Sequence, residues 1–291
     1  MIINEEGTYT LRYTATDDCG KTTEVERELV VADTSPRRTV LYTDGTFIIN
    51  EKQKDQAHNI ELHGEATNVY IPFDLNGATD QDKYIFRIAG ERPWVNQIGL
   101  IKSVEIGERI MPTSTSYWFS SCNELVRCDF SNLDTSNVTS VTSMFSYCTK
   151  LTTPDVSNFN TSNVIDFGGM FYGCNGLAVL DISNFNTNNA ILTGSMFYGC
   201  KSLSVLDLSS FDTSNVTNMT SMFEGCRELT KIYVSNKFVV AQVTSSNRMF
   251  SNMSTNLVGG AGTVWSSSYV DKTRAQIDGG TSNPGYFTAK S

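Results

Sequence analysis

The chain has 291 residues, a net charge of −9 and 40% hydrophobic residues, enough for a sizeable core in one to three domains. The acidic balance disfavours nucleic acid or an anionic membrane as partner, and no apolar run approaches the roughly 18 residues of a membrane-inserting helix. Charge is uneven: residues 1–117 carry 31 charged side chains, residues 118–222 carry 11, and residues 223–291 carry four acidic against seven basic.

The start, Met1-Ile2-Ile3-Asn4-Glu5-Glu6, is acidic and polar, which reads as no signal peptide. Thr8 to Thr16 alternates polar residues with Tyr9, Leu11, Tyr13 and Ala15; Asp17-Asp18-Cys19-Gly20 is turn chemistry, and Val25 to Ala32 returns. This pattern predicts a β-hairpin over 1–33. It resembles the closing hairpin of a bacterial Ig-like surface domain. A complete sandwich needs about 100 residues, so the resemblance implies a partial domain, or a hairpin that assembles with another chain. Residues 34–90 read as a linker and then a small mixed adaptor. It holds an Asp44-Gly45 turn and the segments Ile60–His63 and Val69–Phe73, which should pack onto the first rung of the region beginning at residue 91.

From residue 91 the chain is periodic. Cys122, Cys148, Cys174, Cys200 and Cys226 recur every 26 residues. Phe119, Phe145, Phe171, Phe197 and Phe223 keep the same register, as do Leu125, Leu151, Leu177, Leu203 and Leu229. A fixed period of this length marks a stacked-repeat protein. Each unit reads M-F-x-x-C-x-x-L-x-x-x-D-φ-S-x-F-x-T-x-N-V, with φ apolar. Leu203-Ser204-Val205-Leu206-Asp207-Leu208 is an L-x-x-L-x-L strand with Leu203, Leu206 and Leu208 inward. Asn215 to Phe223, apolar at spacings of 3 and 4, reads as a short helix or 3₁₀ turn. The predicted fold is an α/β repeat solenoid over 91–254: a parallel sheet on one face, with strands near 125–130, 151–156, 177–182, 203–208 and 229–234, and short helical turns on the other. Leu100 to Gly107 is a degenerate first rung, and 255–291 is a C-terminal cap.

These units resemble the BspA-type leucine-rich-repeat family of bacterial surface proteins, in its 26-residue branch, as in Leu206-Asp207-Leu208-Ser209-Ser210-Phe211-Asp212-Thr213-Ser214-Asn215-Val216. Asn283-Pro284-Gly285-Tyr286-Phe287-Thr288 is similar to the end of such arrays. The resemblance implies a leucine-rich-repeat fold and surface display; it implies no ligand.

The cysteines lack the close pairs of a zinc site. Equal spacing makes their side chains point the same way, so a ladder of buried free thiols is expected, with Met253 in the sixth place and Cys128 at an inward core position. The two histidines, His58 and His63, have no nucleophile in a strained turn nearby. No phosphate loop follows a strand, so neither an enzyme, a cofactor nor a metal is expected. Asp129, Asp155, Asp181 and Asp207 form an outward column. Each carboxylate either accepts hydrogen bonds from the adjacent rung or contributes to a ligand stripe. Recognition should use columns that vary between rungs: Arg127, Thr153, Val179, Val205 and Lys231, with Tyr233 ending the Asp column. Tyr147, Tyr172 and Tyr198 form a second candidate face, where aromatic rings can stack on sugars.

The function expected is a non-enzymatic extracellular recognition or adhesion module on a bacterial surface, binding a host or cell-surface protein or glycan. The alternatives are a phage virion protein for host attachment and a structural spacer without a ligand.

Overall fold

The computed structural model describes residues 7–16, 22–31, 38–42, 46–50 and 68–71 by backbone pairing alone. It describes 98–99, 101–106 (apart from the Glu105 side chain) and 111–290 in full. Cys19, His58, His63 and the linker 34–37 lie outside the described residues.

β1 (Gly7–Thr16) and β2 (Thr22–Val31) run antiparallel, with Tyr13 opposite Val25. β3 (Arg38–Tyr42) pairs antiparallel with β2 and with β4 (Thr46–Asn50). β4 then pairs in parallel with β5 (Asn68–Ile71), β5 with β6 (Ser103–Ile106), and β6 with β7 (Arg127–Asp129). One seven-stranded sheet therefore changes from antiparallel to parallel at β4. Farther on, β8 (Val205–Leu208) and β9 (Lys231–Val234) pair in parallel, with Val205 opposite Lys231.

Short parallel strands are thus the regular elements of the repeat region, but 151–156 and 177–182 form no strand. Pro154 accounts for part of this, because it has no N–H to give to a ladder. Single bonds still cross there: the Ala178 N–H reaches the Thr152 carbonyl at 3.1 Å. A second set of parallel bridges joins Ser140, Asp166, Leu192 and Asn218 in sequence, each 26 residues from the last.

The helical turns expected over 215–223 and its counterparts do not form. Among the described residues there is no α-helix, and the only 3₁₀ helices are Lys272–Arg274 and Gly280–Ser282. The hydrogen bonds show why. The N–H groups of Met144, Ser146 and Cys148 reach carbonyls three residues back, at 3.0–3.1 Å. The alternating Ser143, Phe145 and Tyr147 N–H groups instead cross to Gly168, Met170 and Tyr172 of the next unit, at 2.6–2.9 Å. An α-helix would turn every N–H back on its own segment. This alternation needs a left-handed residue at every fourth position: Ser143 and Tyr147, Gly169 and Gly173, Ser195 and Gly199, Ser221 and Gly225, all with φ between 53° and 75°.

The core lies inside these turns. Phe119, Phe145, Phe171, Phe197, Phe223 and Phe250 are buried. They stack one per unit, with ring centroids 5.4–6.1 Å apart. Each such pair adds about 0.5–1.5 kcal/mol beyond its buried area. The C-terminal segment closes the stack: Tyr286 meets Phe250 edge-on at 5.1 Å, and Phe287 packs on Phe238 at 4.9 Å. β10 (Thr288–Ala289) then adds in parallel to β9, placing Thr288 opposite Tyr233.

One carboxylate ties the closing loops together. Asp278 accepts from the N–H groups of Ala261, Thr263 and Gly280 and from the Thr263 hydroxyl, at 2.7–3.0 Å, and from the Gly285 N–H at 3.4 Å. Burial acts to raise its pKa, but the Thr263 hydroxyl and these N–H groups outweigh it and hold the carboxyl well below the usual range. A depressed folded-state pKa contributes stability that is present above the unfolded value and is lost as pH falls.

The turns and the closing carboxylate can each be tested by substitution. Gly199→Ala forces a side chain into φ 68° and should cost about 1–2 kcal/mol, whereas Ser195→Gly in the same turn should not lower stability; urea denaturation midpoints measure both. Asp278→Ala orphans its buried donors and should cost about 2–4 kcal/mol at neutral pH. That penalty should shrink on acidification below about pH 4, measured by thermal melts across pH.

Candidate functional site

The polar residues that crowd each unit are spent on holding units together. Thr135, Thr161 and Thr187 are buried. Each donates its hydroxyl to the carbonyl of Asn160, Asn186 or Asp212 at 2.9–3.0 Å and accepts that same residue's N–H at 2.7–2.8 Å. Asn163, Asn189 and Asn215 donate their amides back to the carbonyls of Ser136, Ser162 and Asn188 at 2.7–2.8 Å. Neutral hydroxyls and amides make these crossings without the desolvation cost that a charged group carries.

The ladder cysteines lie within the core. Cys122, Cys148, Cys174, Cys200 and Cys226 are buried and free, while Cys128 is only partly buried against the core. Each thiol from Cys148 to Cys226 donates to the phenylalanine carbonyl 29 residues earlier, at 3.0–3.2 Å. Burial pushes the Cys174 and Cys226 thiols up to about 12.

The Asp column is arranged differently from the adjacent-rung hydrogen bonding expected of it. Asp129, Asp155, Asp181 and Asp207 each accept, at 3.0 Å, the N–H of the serine two residues on, within their own unit. These are Asx turns, in which a short carboxylate caps its own loop. The Ser131 and Ser183 N–H groups lower the pKa of Asp129 and Asp181, and the Ser157 hydroxyl and N–H lower that of Asp155. At Asp207 burial opposes the shift, but Lys290 and Ser209 still bring the carboxyl down. Lys290, just after β10, forms an ion pair with Asp207.

The variable columns are partly occupied by the chain itself. Lys231 donates to the carbonyls of Val258 and Gly259, at 3.0 and 3.3 Å, and Tyr233 lies beside β10. Arg127, Thr153, Val179 and Val205 remain exposed, Val179 at 63% and Val205 at 46%. On the turn side Tyr147, Tyr172 and Tyr198 meet. Tyr172 and Tyr198 lie flat on each other at 4.4 Å and 3°, and Tyr147 approaches Tyr172 edge-on at 5.1 Å. Tyr172 and Tyr198 thus spend their facing surfaces on each other. Gly173 makes room for the Tyr147 ring, since a Cβ there would meet it at 2.7 Å. In the next unit the tyrosine position holds Glu224, which is fully buried and pairs with Arg248 while accepting from the Asn252 amide at 3.1 Å.

A family model described as "Mycoplasma protein of unknown function, DUF285" matches residues 113–231 and again 181–282. The chain belongs to that family. The DUF285 match is consistent with a BspA-like repeat family, and it takes in both candidate faces and most of the closing segment. No curated protein and no solved structure matches the chain.

Three features of this DUF285 chain escape sequence reasoning. The thiol-to-carbonyl bonds cannot be read from spacing alone. The loss of Lys231 and Asp207 to the C-terminal segment depends on contacts 27 and 83 residues apart. Glu224 does leave a signal, a carboxylate in a column of tyrosines.

A raised thiol pKa adds stability that is present below the unfolded value and is lost as pH rises toward the folded one. Denaturant stability should therefore decline between about pH 9 and pH 12, and a disulfide reagent should label Cys148, Cys174, Cys200 and Cys226 slowly in the native protein and rapidly in concentrated guanidinium. Cys174→Ala should cost about 1–2 kcal/mol.

Proposed function

We propose that the chain is a recognition module: a leucine-rich-repeat solenoid of the 26-residue BspA type, working outside the cell and attached through its N-terminal β region. The observation that carries this reading is the exposed pair Val179 and Val205. They stand in adjacent units and, with Val126, are among the most exposed apolar side chains of the repeat region. Large apolar side chains held rigidly in the open, beside the exposed carboxylates of Asp155 and Asp181, which each cap their own loop through one oxygen, suit a protein partner with an apolar centre and a basic rim. The interaction surface in this reading runs through Arg127, Asp129, Thr153, Asp155, Val179, Asp181 and Val205. It leaves out Asp207, Lys231 and Tyr233, which the C-terminal segment engages. The antiparallel β1 and β2 support the Ig-like comparison only as a strand pair.

A spacer is the rival reading, favoured by the extent to which polar groups are consumed between units. Fluorescently labelled intact chain should bind cultured epithelial cells. Val179→Glu with Val205→Glu should reduce that binding about tenfold, with melting nearly unchanged because both sites are exposed. Binding that survives the double variant sinks the sheet-face reading, and no binding by the wild type leaves the spacer.

A further inference from the structure

The repeat is broken at one place that leaves a groove. Met253 stands in the sixth position of the cysteine ladder, and the loop around residues 265–270 covers the unit's turn in place of a further repeat: the Phe250 N–H bonds to the Val270 carbonyl at 2.9 Å. Between that loop and the preceding units lies a shallow groove of about 430 Å³, with Arg227, Ser251, Asn252, Met253, Trp265 and Ser267 on its walls. Its volume falls in the range of small-ligand sites, and its open form suits a ligand that stays partly in solvent.

Arg227 is exposed and forms no ion pair among the described residues. Lys201 stands in the same column one unit earlier, so its charge adds to that of Arg227. The nearby carboxylate of Glu224 is taken by Arg248; Glu228, next in sequence, is exposed. This end of an acidic chain has seven basic residues against four acidic over 223–291. The half-buried Trp265 is fixed by its indole N–H, which donates to the Phe250 carbonyl at 2.9 Å. Asn252 is oriented by its bond to Glu224, leaving its amide oxygen to accept.

We propose that this groove binds a carboxylate-bearing sugar at the end of a glycan. Arg227 takes the carboxylate as a two-pronged pair, the Trp265 ring supports an apolar face of the sugar, and Asn252, Ser251 and Ser267 hydrogen-bond its hydroxyls. The proposal builds on the reading of the chain as a recognition module, but it uses a different surface from Val179 and Val205.

The test is titration of the intact ¹⁵N-labelled chain with sialyllactose, with a glucuronate-terminated disaccharide and with lactose, following the Trp265 indole resonance assigned by Trp265→Phe. Either acidic sugar, or both, should shift it saturably, and lactose should not; which acidic sugar acts separates sialylated from uronic-acid glycans. Arg227→Gln should weaken binding about tenfold or more, Arg227→Lys less, and Lys150→Gln at the far end of the stack not at all, with melting unchanged in each. An equal response to lactose, an unaltered response in Arg227→Gln, or no shift up to about 10 mM sugar overturns the proposal. Cell binding that still depends on Val179 and Val205 would then leave the recognition reading standing without the groove.

Discussion

The constraint on which the rest depends is the split destination of the turn N–H groups. Half bond three residues back and half cross to the next unit, as the Phe145 and Cys148 pair shows. A unit cut from its neighbour would give every crossing donor to water and expose the phenylalanine ring stacked on the next unit, which leaves too little buried surface to offset the entropy of ordering it. Each unit is therefore stabilised through its neighbours, and the left-handed non-glycine positions such as Tyr147 and Ser195 are the local strain that this register demands.

Side chains repeat the same logic in a second layer. The Thr161 hydroxyl both donates to and accepts from Asn186, and the Asn189 amide reaches back to Ser162. Such reciprocal bonds fix the offset between units to the residue, because a slip by one position would leave both members unpaired. The sparse charge of residues 118–222 reflects this use: few positions face water without also serving a neighbour. Val179 is the most exposed of the large apolar side chains that face water there, and Val205 follows it one unit on.

Much of this is legible in the sequence, because the 26-residue register of Phe, Cys and Leu survives in five units and each of those residues is buried. The turns are not, because a spacing of three and four residues suits a helix and a chain of left-handed turns alike; only the glycines at 169, 173, 199 and 225 point to the second. The inward place of Pro154 is plain from the repeat, but the pattern does not carry the consequence that its missing N–H interrupts the strand. The contacts of Lys290 and Lys231 are beyond reach, since no period relates the closing segment to the units it covers.

The thiol ladder has a consequence for where such a chain can exist. Each buried cysteine from Cys148 to Cys226 has a carbonyl as its partner instead of another sulfur. No covalent bond must be made to complete this part of the fold, and none is there to be broken. A reducing interior and an oxidising exterior therefore present the repeat region with the same energetics, and it can fold in one and persist in the other without a redox catalyst.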